Sequence, residues 1–150
     1  MGNTNLTDLE LSDLEKIAKE LRQKILKVIF HAGSGHPGGS LSATDLLTAI
    51  YFGGILRYDV QNINDPNRDR FILSKGHASA LIYCVLSRAG YFSEEYLNGY
   101  RKIGSELFLS GHPHPKTPGI EIASGSLGQG LSVGHGIALA ARLDKLNYKV

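Results

Sequence analysis

Phe71-Ile72-Leu73-Ser74-Lys75-Gly76-His77 is the stretch on which the fold turns. Its three leading apolar residues, bounded by Arg70 and Ser74, have the length and flanks of a short buried strand. A glycine and a histidine follow. Ala78–Ala89 then reads as a helix that stops at Gly90. Strand, glycine turn and helix make up the first half of a parallel α/β unit. Open sheets of that kind bind ligands at the carboxyl ends of their strands, and His77 stands at such an end. It either faces a ligand there or caps the helix that follows; spacing alone leaves both open.

Upstream, Thr7-Asp8-Leu9-Glu10 and Ser12-Asp13-Leu14-Glu15 both fit the capping-box pattern. Leu14, Ile17, Ala18, Leu21, Ile25, Val28 and Ile29 then recur at helical spacing. They predict a helix from about Ser12 to His31, stopped by Gly33, with Lys16, Lys19, Glu20, Gln23 and Lys27 on its solvated face. Ser42 to about Phe52 reads as a second, mostly buried helix. Residues 57–70 are polar, with turn chemistry at Asp65-Pro66-Asn67. Downstream, Ser93 can cap a shorter helix. Residues 103–125, with Pro113, Pro115 and Pro118, form a long loop of the kind that tends to carry function. A last helix runs from Leu127 to about Leu146, and Lys149-Val150 reads as the start of a strand. The order implies an α/β fold, a parallel sheet flanked by helices, with further strands expected after Val150.

Apolar residues make up 42% of the 150 and charged residues 20%, as in an ordinary globular domain. The formal charge of +2 is too small to point to nucleic acid or an acidic membrane surface. The single cysteine, Cys84, excludes an internal disulfide and a cysteine-based zinc site, and it reads as a core residue. No stretch reaches the roughly 18 apolar residues of a membrane span. The polar start does not resemble a signal peptide, so a cytoplasmic location is expected.

Three more segments carry candidate chemistry. Gly33-Ser34-Gly35-His36-Pro37-Gly38-Gly39 either sets His36 at a ligand through a rigid proline turn or merely connects two helices. Gly111-His112-Pro113-His114-Pro115 offers two alternate histidines but no evident third metal ligand. Its prolines can hold His112 in a fixed pose, or the loop is inert. Ser124-Gly125-Ser126-Leu127-Gly128-Gln129-Gly130 is a glycine-rich turn opening a helix. Such a turn favours phosphate through its N–H groups and helix dipole, or serves tight helix packing. It has neither the dinucleotide fingerprint nor a P-loop lysine. His31 and His135 fall inside predicted helices and read as structural. Together the segments suggest a site that binds an anion and moves protons.

In this order, the four segments resemble the N-terminal part of transketolase over about residues 12–150. The matching residues are Ser34–Gly38, Asp69–His77, Gly111–Pro113 with Pro118–Glu121, and Gly125–Gly130. The resemblance implies a thiamine-diphosphate-binding fold, of which residues 1–150 are the N-terminal part of the diphosphate-binding domain. It implies transfer of a two-carbon ketol unit from a ketose phosphate to an aldose phosphate. Carried over by position, His36, His77 and His112 are catalytic. His77, Gly125, Ser126 and Leu127 bind thiamine diphosphate, and magnesium ligands are expected beyond residue 150. Ser126 where the family commonly has proline, and His114 where it has glutamate, resemble the split form built from two polypeptides. Assembly with a C-terminal partner subunit, in a heterotetramer or higher oligomer, is therefore expected. Alternatives are a dihydroxyacetone synthase-like enzyme, a relative using branched sugar phosphates, or a non-catalytic binding subunit that keeps the fold.

Overall fold

A computed structural model of the chain describes residues 9–150. Thr7 and Asp8 of the first capping box lie outside them. The helices are α1 (Leu11–Ala32), α2 (Pro37–Leu41), α3 (Thr44–Phe52), α4 (Ser79–Ala89) and α5 (Gln129–Leu143), with 3₁₀ turns at Gly76–Ala78 and Glu94–Gly99.

α1 buries Ile17, Leu21, Ile25 and Val28, four of the residues its periodicity singles out. It ends as expected at Gly33, whose φ of 64° is left-handed. The capping box at Ser12 is not used. The helix starts one residue earlier, Glu10 makes no side-chain cap, and the Asp13 and Leu14 N–H groups donate to the Glu10 carbonyl. Asp13 instead sits in the first turn, favourable to the helix dipole, and pairs with Lys16 at 3.0 Å. The second predicted helix starts two residues later than expected, as α3, and the glycine segment before it holds a short helix the spacing did not indicate: α2 begins on Pro37, whose missing N–H costs nothing in a first turn.

α4 is the centre of the molecule. Every residue from Ser79 to Leu86 is buried, and α1, α2, α3 and the 3₁₀ turn Glu94–Gly99 pack around it. A helix apolar on all sides must be surrounded. Each fully buried Leu, Ile or Val contributes roughly 1.5–3 kcal/mol, so burial, and not a cap, fixes this helix. Cys84 lies in that core, and burial pushes its thiol up to about 12. It is an inert packing residue, as expected.

The parallel sheet does not appear among the described residues. Phe71–Leu73 leads into the turn Gly76–Ala78 in the predicted order, but no strand is assigned there. The Arg70 N–H donates to the Lys149 carbonyl at 2.8 Å, so the two predicted strand segments do lie side by side. The Lys149 N–H goes to the buried Asp69 carboxylate instead, at 2.8 Å. One backbone bond is not a ladder, and a strand needs repeated partners to count as one. Asp69 also accepts the Arg57 N–H at 2.8 Å, tying three segments to one carboxylate. Glu121, held by Arg68, clamps the end of the long loop onto the same region.

Candidate active site

Three of the predicted site histidines meet. The His36 and His77 rings lie 4.9 Å apart, centroid to centroid, and the His77 and His112 rings 4.8 Å apart, both edge to face. His77 is the middle ring. Residues 36, 77 and 112 come from three separate segments, so only folding assembles the row.

Each ring is placed by its own local structure. His36 is the residue before α2, and Pro37 behind it is the first helical residue. His77 sits inside the 3₁₀ turn that joins Leu73 to α4. His112 is carried by the long loop, and α4 grips that loop through carbonyls. Ser79 Oγ donates to the Gly111 carbonyl at 2.8 Å, and Tyr83 Oη donates to the His112 carbonyl at 3.1 Å. Ser110 Oγ donates to the same His112 carbonyl. Ser79 and Tyr83 were not among the sequence candidates. Their signal was two hydrogen-bonding residues one turn apart in the apolar first half of that helix.

The glycine-rich turn forms the next wall. A Cβ on Gly76 would stand 2.8 Å from the Ser124 carbonyl carbon and oxygen and 2.9 Å from the Gly125 nitrogen, so only glycine lets the two backbones close up. Gly125 lies against the His112 ring, where a Cβ would be 3.5 Å from Cδ2. The Ser74 hydroxyl accepts the Gly130 N–H at 3.1 Å and pins the start of α5. The N–H groups of Gly125, Ser126 and Leu127 have no acceptor among the described residues. Two buried polar side-chain atoms here, His77 Nδ1 and Ser124 Oγ, have no hydrogen-bond partner among the described residues. Buried polar groups are ordinarily paired, so orphans clustered beside free N–H groups mark a place for a ligand.

His112 titrates below the ordinary histidine value of 6.5. Partial desolvation is the main cause, and the positive charges of His77, His36 and Arg101 add to it. The neutral imidazole prevails at pH 7 and can accept a proton.

The other histidines stay apart from the cluster. His114 turns away from His112, packs against Phe108 at 5.1 Å, and accepts the Lys116 N–H on Nδ1 at 3.2 Å. No group of three acidic, histidine or cysteine residues among those described is arranged to hold a metal. His31 lies on α1, and His135 lines an apolar cavity of about 610 Å³ between α5 and Phe71–Ile72. Its surface is mostly apolar, with Asp69, Arg70, His135 and Lys149 among the residues around it.

Comparison with known proteins agrees with this geometry. A family model described as "Transketolase, thiamine diphosphate binding domain" matches residues 14–149. The chain is 40% identical over 94% of its length to an apulose-4-phosphate transketolase subunit of Phocaeicola vulgatus, covering 49% of that protein. It is 41% identical over 89% of its length to a 6-deoxy-6-sulfo-D-fructose transketolase subunit of a Clostridium species, covering 48% of it. Human transketolase is 40% identical over 94% of this chain, which covers 22% of that enzyme. The crystal structure of transketolase from Campylobacter jejuni superposes with a TM-score of 0.82 at 39% identity, over 89% of this chain and 21% of that one. The chain thus spans about half the length of the subunits it matches and about a fifth of the longer transketolases. With the motifs, the histidine row and the family match in agreement, this chain belongs to the transketolase family, within its thiamine diphosphate binding domain.

Proposed function

We propose that this chain serves as the N-terminal part of a transketolase that works with a C-terminal partner subunit. Together they transfer a two-carbon ketol unit from a ketose phosphate to an aldose phosphate, with thiamine diphosphate and magnesium. The observation that carries this reading is the row His36–His77–His112, closed on one side by the free N–H groups of Gly125–Leu127. Two relatives are named as subunits, which supports a partner. Their named sugars carry a phosphate or a sulfo group, which supports an anionic sugar as substrate. The assembly we propose is a heterotetramer or higher oligomer.

Thiamine diphosphate fits the residues present. The orphaned His77 Nδ1 and Ser124 Oγ and the free N–H groups of Gly125, Ser126 and Leu127 offer polar partners to a polar, anionic group. The close approach of Gly76 to Ser124 fixes the shape of that wall. We assign His77, Gly125, Ser126 and Leu127 to holding the cofactor. The magnesium ligands lie outside residues 9–150. When bound, the cofactor supplies the nucleophilic carbon and the electron sink that ketol transfer needs. The chain's own part is proton handling and orientation. Neutral His112 Nε2 or Nδ1 accepts a proton from a sugar hydroxyl and later returns it. His36, on the far side of His77, serves a second hydroxyl in the same way. The edge-to-face packing on His77 keeps both rings fixed while protons move.

The test is reconstitution. This chain and its partner half, mixed with thiamine diphosphate and magnesium, are expected to transfer a ketol unit between sugar phosphates, and neither half alone is expected to turn over. An assembled pair that binds the cofactor yet transfers nothing across a panel of ketose phosphates and aldose acceptors would overturn the reading.

A further inference from the structure

We propose that Ser79, Tyr83 and Tyr100 are positioning residues, buried hydroxyls that fix the backbone on both sides of residue 112 and so hold the His112 ring beside His77; their part in catalysis rests on the transketolase reading above.

All three side chains lie in the core, where a hydroxyl is costly unless it is bonded. Their bonds run in one direction. Ser79 Oγ stands 2.8 Å from the Gly111 carbonyl and 3.0 Å from Tyr100 Oη. A carbonyl only accepts, and a serine hydroxyl has a single proton. Ser79 therefore donates to Gly111 and accepts from Tyr100, which makes the Tyr100 hydroxyl the donor of that pair. One turn along α4, Tyr83 Oη donates to the His112 carbonyl at 3.1 Å, and Ser110 Oγ donates to the same oxygen. Both lone pairs of the His112 carbonyl are then engaged.

The two carbonyls belong to the two peptide units that meet at the His112 Cα. Peptide units are planar, so fixing both carbonyl directions fixes φ and ψ of residue 112. The direction in which its Cβ leaves the backbone is fixed with them. The flanks are anchored as well, since Leu109 and Pro113 are buried on either side. The ring between them is exposed, so packing does little to hold it and the backbone must. Core packing does not need these hydroxyls. The Tyr83 and Tyr100 rings meet edge to face at 6.1 Å, which phenylalanine at either position would keep. Burial pushes the Tyr83 hydroxyl up to about 12, so it stays protonated, and a donor, well above neutral pH.

The test uses Tyr83→Phe and Ser79→Ala in the assembled two-subunit enzyme. Each removes a hydroxyl and little else, so the melting temperature should fall by only a few degrees. kcat should fall about 10–100-fold in each, the scale of a displaced catalytic group. Tyr100→Phe removes only the donor to Ser79, so its loss should be smaller and should add nothing to that of S79A. A merely structural role would not pass the next comparison. In a His112→Ala background, Y83F and S79A should change kcat less than about twofold, because residues that act through one group are not additive. A second readout needs no turnover. NMR titration of the His112 ring in the assembled protein, assigned by its loss in His112→Ala, should find its pKa raised toward 6.5 in Y83F and S79A. The freed ring leaves its partly desolvated place near His77, His36 and Arg101, whose charges and burial hold that value down. Absent turnover in the wild type would count against the transketolase reading alone, and the titration would still decide the inference. An unmoved titration in both variants, an unchanged kcat in both, or losses as large without the His112 ring as with it would each overturn the proposal.

Discussion

At the scale of single residues, His112 joins position and protonation. Its ring is exposed while its carbonyl is gripped by Tyr83 and Ser110, so the side chain is free for chemistry and its backbone is not. General acid–base groups contribute about 10²–10⁴-fold. His112→Ala and His36→Ala should each lower turnover of the assembled enzyme on that scale while the melting temperature barely moves; full turnover with a lowered melting point would make both residues structural. The depressed pKa gives a second expectation. Folding lowers the His112 pKa from about 6.5, so above pH 6.5 both folded and unfolded chains hold it neutral and it leaves stability unchanged. Below pH 6.5 the unfolded chain takes up the proton first, and stability falls. Urea titrations at about pH 7.5 and about pH 5.5, on either side of that value, should show an acid loss that His112→Gln reduces. The kcat/KM profile should carry an acid limb below 6.5.

At the scale of elements, two glycines separate two kinds of cost. Gly33 ends α1 with φ at 64° and open space around it, so Gly33→Ala carries only the conformational penalty, roughly 1 kcal/mol. Gly76 has no such backbone need, but a Cβ there meets the Ser124 carbonyl at 2.8 Å. Gly76→Ala should cost about 1–3 kcal/mol by overpacking and push the 124–127 segment away from His77. Chemical denaturation gives both stabilities. Loss of turnover is expected for Gly76→Ala alone; the same activity in both variants would mean that the Gly76–Ser124 contact does not shape the site.

At the scale of the whole molecule, the described chain holds one side of the proposed cofactor site and no set of metal ligands. Thiamine diphosphate should therefore bind tightly only to the assembled pair with magnesium. Calorimetry on residues 1–150 alone should show weak or no binding, and tight binding would contradict the two-subunit reading. In the assembled enzyme, His77→Ala should weaken cofactor affinity as well as turnover, because its Nδ1 is buried, unpaired and next to the Gly125 turn. His112→Ala should leave affinity near wild type. Equal wild-type affinity in both would remove His77 from the cofactor.

The sequence by itself determined the long helices and their glycine stops, because apolar spacing and glycine stops are local properties; it did not show α2, and it ran the last helix past both ends of α5. α1 from Ile17 to Gly33 and α4 to Gly90 are legible without any neighbour. It also determined which residue types could handle protons, since a histidine beside glycine is a chemical fact of the chain. It left His77 open between ligand and helix cap, His36 between ligand and helix connection, and His112 between a fixed pose and an inert loop, and it could not exclude His114, which shares that loop with His112. Tertiary structure decided that. Only when α4 grips the loop through Ser79 and Tyr83 does His112 turn to His77 and His114 to Phe108. Folding also decided that the segment before Phe71–Leu73 meets Lys149 through a single backbone bond, from Arg70, instead of a ladder. A strand exists through its partners, and a period of apolar residues along one chain does not say how many of those partners arrive.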